Sequence, residues 1–520
     1  MTTAPGAERT ANPAELRGES RLPAPVITAA VLLGLAALAF IVGASAATKP
    51  FAPLALTGGL LLGVAIWWRP LVGVVVVAAI SPALAGLSRG IGLPGLKLSE
   101  LLVIVAAAAL FIRRPPRWRR TTGVDYALAA FAITSVGFGL YHITVGNIPL
   151  LEGRNLGDAF LVTVQPTFLF LAWWAASRGV QQRSDVFAVL RWVLYVSLVP
   201  AVLGIMQYFD IPGIRDFLIV LTGNAGLVGE SAGAGAAVPE SFRVTGPFPI
   251  WHSFGGYLLL PMVTATVMLL RGDRTALPTS HLLVVLLIDA AALVLAVTVT
   301  LLLWLPIAVI VAALFARRLI SAVVVLAVLA TMALLLFPEA IADRAEQQTS
   351  ESAVTAGLGG PDIGFLQTLQ YRFLVWERDY LPVVASAAPV GLGTERVPGA
   401  LFDATENQNL SYLLRGGIGL VVAAWVAMGA IAVRALRHGL ARTNVARSGA
   451  LAIVGVMSFL PAAAQVWPYV SNAGLSYALV PIAGAVLAIE PRRARTDRWG
   501  DAEPDVDASL VRPGVPAAQA

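Results

Sequence analysis

Runs of about twenty consecutive apolar residues, the length that crosses a bilayer, recur along this chain and restrict its fold more than any other feature. The first spans 24–46. Others are centred near residues 60, 79, 106, 136, 169, 198, 262, 290, 308, 328, 424, 459 and 481. An open segment in lipid can satisfy its own backbone hydrogen bonds only as a helix. The expected fold is therefore all-α: a polytopic transmembrane bundle of about fourteen helices. Only 13% of the residues are charged and 58% are hydrophobic, whereas soluble domains carry about 25% charged residues.

Arginine positions orient the bundle. With the N-terminus inside, the cytoplasmic segments carry Arg69, then Arg113, Arg114, Arg117, Arg119 and Arg120. Arg178 and Arg183, Arg271 and Arg274, and Arg317 and Arg318 follow, then Arg434, Arg437, Arg442 and Arg447, and finally Arg492, Arg493, Arg495 and Arg498. Every inner segment thus carries Arg, which predicts that both termini are cytoplasmic. The formal charge of +6 reflects this pattern, and no basic soluble domain exists that would bind nucleic acid. Ala44-Ser45-Ala46 resembles a signal-peptidase site, but the run before it exceeds a signal core and reads as a plain first helix. The split of 282–316 into two helices rests on length alone, because Val297 to Leu305 has no polar turn.

The expected organisation is a cytoplasmic tail at 1–23, helices one to eleven within 24–337 with an outer loop at 210–252, and a large outer loop at 338–412. Helices twelve to fourteen fill 413–490, and a disordered cytoplasmic tail follows at 491–520. Gly229 to Ala237 reads as a flexible tip and Ala345 to Gly360 as mobile. From there the pattern changes. Phe365, Leu369, Phe373, Trp376 and Tyr380 recur at spacings of three and four, which predicts an amphipathic helix lying on the membrane or on the bundle.

The chain has no cysteine, so disulfides, thiolate metal sites and a Cys nucleophile are excluded. Its four histidines are scattered and make no metal centre. Orientation does not require arginines outside, yet Arg243, Arg372, Arg378, Arg396 and Arg415 lie in or beside the two long outer loops. Guanidinium forks stay charged and grip phosphate oxygens. A solvated or salt-bridged surface role is the plain alternative for each. Arg415, where a membrane helix begins, needs a partner or must snorkel. Arg372 and Trp376 share a helical face at i, i+4. Pro389-Val-Gly391-Leu-Gly393 forms a Gly-punctuated turn. Glu406-Asn407-Gln408-Asn409 suits either sugar hydroxyls or helix capping.

In order, these elements resemble the O-antigen ligase and O-antigen polymerase superfamily of bacterial envelope glycosyltransferases. Arg372 and Trp376 match its Arg-x-x-x-Trp. Pro389, Gly391 and Gly393 approximate its Pro-x-x-Gly-x-Gly turn, and Glu406-Asn407 stands where polymerases often have Asp-Asn. Arg243-Val-Thr-Gly246-Pro-Phe248 resembles its Arg-x-x-Gly-x-Phe segment, and Lys97-Leu-Ser99-Glu100-Leu101 the polar start of its fourth helix. The resemblance covers roughly residues 90–435. Three departures mark the chain. No His lies in 338–412; Gln408-Asn409 could align with the family's His-Asn; and Thr298-Val-Thr300-Leu301 replaces Thr-x-Ser-Arg.

The resemblance implies a plasma-membrane enzyme of a bacterium that moves a glycan from a polyprenyl diphosphate donor to a sugar hydroxyl acceptor at the outer face, with no metal or cofactor. Arg372, Arg415 and Glu406 would be catalytic, and Arg243, Trp376, Asn407, Arg378 and Arg396 would bind substrate. A lipid-linked oligosaccharide flippase is the main rival, with Arg191, Asp289 and Gln465 as its intramembrane polar candidates. A glycosyltransferase using polyprenyl-phosphate sugars would want acids near Thr48-Lys49-Pro50, where none occurs. A non-catalytic assembly member of the same superfamily is a further alternative.

Overall fold

The computed structural model describes residues 52–89, 96–113, 121–145, 163–223, 243–296, 298–349, 367–394, 397, 400, 405–441 and 446–490. The run at 24–46, the tip at 229–237 and both tails lie outside these residues. Among the described residues the chain is all-helical, without a strand. Among the described residues six helices are long and apolar enough to cross a membrane, as a polytopic bundle requires.

Helices cover each expected centre from residue 60 onward. In chain order they are α1 (Ala52–Trp68), α2 (Pro70–Val75, running through a π-helical turn at Val76–Ile80), α3 (Leu98–Arg113), α4 (Gly123–Thr144), α5 (Gln165–Gly179) and α6 (Arg183–Tyr208). Next come a short loop helix α7 (Ile214–Thr222), α8 (Trp251–Arg271), α9 (Thr279–Leu295), α10 (Val299–Ala316), α11 (Leu319–Leu336) and α12 (Pro338–Thr349). Then α13 (Gln367–Val375) passes through a second π-helical turn, Trp376–Tyr380, into α14 (Leu381–Ala387), followed by α15 (Gln408–Leu440), α16 (Arg447–Ala463) and α17 (Leu475–Val486). The expected split of 282–316 is present, between α9 and α10. Residues 345–349, expected to be mobile, instead continue α12.

Helix α8 is the axis of the bundle. Its apolar window is 94% buried, and α6, α9, α10, α16 and α17 surround it. A helix apolar on every side belongs in such a position. Trp304 on α10 donates its indole N–H to the Val456 carbonyl of α16 at 2.9 Å, one of the polar bonds that join helices where water is absent. At the bundle's edge, α11 has only 6% of its window buried, so its side chains face outward.

The arginines of one end are tied to backbone carbonyls and carboxylates. Arg113 donates to the Trp67 carbonyl, Arg447 to those of Gly439 and Phe315, and Arg434 to Glu490 at 2.6 Å. Arg178 is buried and pairs with Asp125 at 2.5 Å, where the Trp173 indole also donates. These cations therefore bind helix ends together as well as marking one side.

The opposite end carries the loops. There α13, α14 and the first turns of α15 form a small apolar core of their own around Trp376, Tyr380, Leu410 and Leu414. Phe373, expected on this buried face, is 52% exposed. The π-helical turn beginning at Trp376 shifts the register, so the stripe that buries Trp376 and Tyr380 does not include Phe373; Phe365 lies outside the described residues. Helix α15 breaks at Gly416 and Gly417, the latter at φ 65°, ψ −165°, a conformation open essentially only to glycine. The freed groups bond to the Pro389–Gly393 turn. Leu392 N and Gly393 N donate to the Leu414 carbonyl, and Ile418 N donates to that of Ala388. A Cβ on Gly417 would lie 2.4 Å from the Pro389 carbonyl oxygen. The Gly-punctuated motif is thus a backbone clasp.

Candidate functional site

One turn of α13 and its π-helical extension grips residues 405 and 406 at two points. Arg372 Nε donates to Glu406 Oε2 at 2.6 Å, and Trp376 Nε1 donates to the Thr405 carbonyl at 2.6 Å. The i, i+4 spacing of Arg372 and Trp376 makes this double contact possible. Glu406 has φ 47°, an uncommon conformation for a side chain with a Cβ. The clip and the cap that follows hold it there.

Each residue after Glu406 has a structural task. The Asn407 side-chain oxygen accepts from Asn409 N and Leu410 N, capping α15, and its amide donates to the Gln465 carbonyl at 3.1 Å. Gln408 is fully buried; its oxygen accepts from Val470 N and Ser471 N and its amide donates to Ser471 Oγ. Asn409 accepts from the Trp425 indole at 2.8 Å. Of this polar stretch, only Glu406 lines the cavity described next.

That cavity, of about 440 Å³, lies between the loop helix and the bundle. Arg243, Arg372 and Glu406 line it together, although they come from two distant loops. The Arg243 guanidinium carbon sits 4.6 Å from the centre of the Trp251 ring, a cation–π contact. His252, at the start of α8, also lines the cavity. It stacks on Trp467 with centroids 4.3 Å apart and planes at 14°, and its Nδ1 lies 3.3 Å from the Tyr469 hydroxyl. Burial pushes the Tyr469 phenol above its ordinary range, so it keeps its proton.

Thr298 and Thr300 close a further side, beside the break between α9 and α10. Leu301, where the resembled family has Arg, is fully buried; a Cβ on Gly255 of α8 would lie 2.4 Å from its Cδ1. Two guanidinium groups against one carboxylate leave the polar wall positive. Among the described residues no three His, Asp or Glu side chains gather as metal ligands would.

The other expected site residues stand elsewhere. Trp376 is buried in the small loop core and its N–H is committed to Thr405. Asn407 is a helix cap whose side chain does not line the cavity, because its polar atoms are engaged at Asn409, Leu410 and Gln465. Arg378 is on the surface in a two-pronged pair with Asp379, and Arg415 is half-buried beside the α15 break, away from the cavity lining. Arg396 lies outside the described residues. Trp251, His252 and Trp467 escaped the sequence reading. Aromatic residues at the ends of apolar runs read first as membrane-interface anchors, and nothing local marks their convergence.

Lys97 and Glu100 form a separate brace. Glu100 is fully buried, accepts both prongs of Arg89 at 2.9 and 3.1 Å, and also accepts Lys97 N. Lys97 Nζ donates to the Ala85 carbonyl; burial, with help from Arg89, lowers its ammonium to about 8.

Compared with protein-family models, curated proteins and solved structures, the chain matches none, so what its cavity does has to be argued from the residues that line it.

Proposed function

We propose that this chain is a multi-pass bacterial plasma-membrane protein with about fourteen crossings, both termini cytoplasmic, and that its cavity opens at the outer face. There it transfers a glycan from a polyprenyl diphosphate carrier to a sugar hydroxyl, as a polymerase or ligase. One observation carries the reading: Arg243 and Arg372, remote in sequence, meet in one cavity with the single carboxylate Glu406.

The chemistry follows from those groups. Arg243 and Arg372 hold the diphosphate by charge-assisted hydrogen bonds. The acceptor oxygen attacks the anomeric carbon as the bond from that carbon to the diphosphate breaks. The departing diphosphate takes the electron pair, and its added charge faces the two guanidinium groups, which need no reorganisation. Glu406 accepts the proton of the attacking hydroxyl. In the resting pair, Arg372 occupies Glu406 Oε2. A diphosphate on Arg372 competes for the same N–H groups and frees the carboxylate for the acceptor. Arg415, outside the cavity lining, holds no direct role in this scheme.

A transporter would place polar groups along a cavity through the bundle. Each of its candidates has a local partner, although Asp289 also keeps one buried carboxyl oxygen without a hydrogen bond. Arg191 donates to the Ala276 carbonyl, Asp289 accepts from Ser197, and Gln465 pairs with Asn407.

Deleting the gene and sizing the surface glycans tests the proposal, with Arg243→Ala and Arg372→Ala restored to the deletion strain. Loss of long chains with the variants still in the membrane supports polymerase, and retained but unattached chains support ligase. Lost export would favour a flippase. Unchanged polymer would refute the assignment.

A further inference from the structure

Arg191 stands out in the sequence as a cation on an apolar helix, and the transfer chemistry gives it no task. It is exposed on α6. A guanidinium there is costly unless it reaches the interface or finds a partner. Its Nε donates to the Ala276 carbonyl, in the turn before α9, at 2.9 Å. That bond places the guanidinium level with the end of the apolar span of α9, not within it. Among the described residues no carboxylate pairs with Arg191, and its two Nη groups have no partner. One turn further along α6, the Tyr195 hydroxyl lies 2.7 Å from His281 Nδ1 on α9. Trp192, next to Arg191, is 50% exposed. Past this polar rim the surface is apolar. Val199 and Val202 are exposed on Arg191's face of α6, and Val284 and Leu287 are exposed on the adjoining α9. Val199 lies about 12 Å along α6 from Arg191, at 1.5 Å per residue.

We infer that this rim binds the phosphate of an anionic phospholipid, with the Arg191 Nη groups on the headgroup and the acyl chains along the exposed faces of α6 and α9. Charge complementarity selects the occupant. A guanidinium fixed through Nε, with no carboxylate partner, presents its remaining N–H groups to phosphate oxygens. Arg274, two residues before Ala276, is exposed and adds positive charge to the rim. Trp192 and Tyr195 are the residue types that settle at headgroup depth. The apolar faces beneath favour an anion that brings hydrocarbon chains over a free phosphate. In the proposed topology this is the cytoplasmic leaflet, where anionic headgroups gather around juxtamembrane cations. The inference is independent of what the cavity binds.

Because the chain has no cysteine, single thiols report on neighbouring lipid without background. Val284→Cys on α9 and Val324→Cys on α11 are each placed in the full chain, labelled with bimane and reconstituted in vesicles of phosphatidylglycerol and phosphatidylcholine. Both positions are about half exposed and lie five residues after the first residue of their helices, Thr279 and Leu319. Val324 follows Arg317 and Arg318, so it reports the general attraction of basic rims without Arg191. Quenching by brominated phosphatidylglycerol, against brominated phosphatidylcholine, gives the relative binding constant at each position. The preference for phosphatidylglycerol at 284 should exceed that at 324 by about fivefold, the effect of one cation at a membrane surface. Arg191→Gln should abolish the excess and Arg191→Lys should keep only part of it. Neither should alter 324, which also reports that the variants fold. Equal preference at both positions, an excess that survives Arg191→Gln, or a fall at 324 as large as at 284 would overturn the site. Displacement of the lipid by millimolar inorganic phosphate would also overturn it, by making the rim a soluble-anion site.

Discussion

Arg372 and Trp376 touch adjacent residues of the same loop, yet their replacement should separate function from stability. The Arg372–Glu406 pair is partly open to water, with side chains 18% and 35% exposed. Pairs in that setting contribute about 0.2–1 kcal/mol. Arg372→Ala should therefore cost at most about 1 kcal/mol of stability. Its expected cost in glycan transfer is far larger, about 10²–10³-fold, the range found when one preorganised charge donor is removed from a reacting site. Trp376 is 8% exposed, packs in the loop core and donates to Thr405. Trp376→Ala should cost about 3–5 kcal/mol, the range for deleting a buried aromatic ring. Its activity loss should then follow protein abundance. The assay pairs the melting midpoint of the purified chain with polymer formed per molecule in the membrane. Glu406→Gln completes a cycle. If Arg372 and Glu406 act as one unit, the double variant should be no slower than Arg372→Ala alone. A melting loss for Arg372→Ala equal to that for Trp376→Ala, with normal turnover per molecule, would show that Arg372 only holds the loop.

Three further outcomes follow from the geometry. Gly417→Ala should prevent correct folding of the outer part of α15, because its Cβ would meet the Pro389 carbonyl oxygen at 2.4 Å; Gly429→Ala on the same helix, with nothing within 4 Å, should be neutral or stabilising, and detergent-extracted yield compares them. Asn407→Ala should cost about 0.5–2 kcal/mol as a lost N-cap and Asn407→Asp much less, read from melting midpoints, whereas substrate contact through the amide would make both inactive. Lys97 loses its proton near 8 when folded but near 10.5 when unfolded, so the unfolded chain binds more protons in between and stability should rise as pH goes from about 8 towards 10.5. Lys97→Met should flatten that rise, and an unchanged pH dependence would mean that Lys97 is not held as described.

Legibility in the sequence divided according to how local each cause was. Apolar runs located the helices because burial in lipid acts on each run alone. The break between α9 and α10 was poorly marked because its support is partly distant: Val244 N donates to the Leu295 carbonyl, and only Thr298, donating to the Ala296 carbonyl, is close in sequence. The Arg372–Trp376 pair could be placed on one face from spacing, but not the pair of groups it grips, 34 and 29 positions on. Glu406 to Asn409 show the limit most clearly. Four polar residues in a row suited sugar recognition and capping equally, and the decision fell to partners at 372, 465, 470, 471 and 425. Once Asn407, Gln408 and Asn409 are committed to those partners, Glu406 alone still faces the cavity, opposite a guanidinium that a diphosphate would contest. His252 and Trp467 reach the same cavity from two other segments. Under the proposed transfer, a carboxylate made available by the binding of its own partner's ligand would order the events, with donor first and acceptor second. An acceptor analogue should then bind appreciably only after a diphosphate has occupied Arg372, and equal affinity with the diphosphate absent would contradict that order.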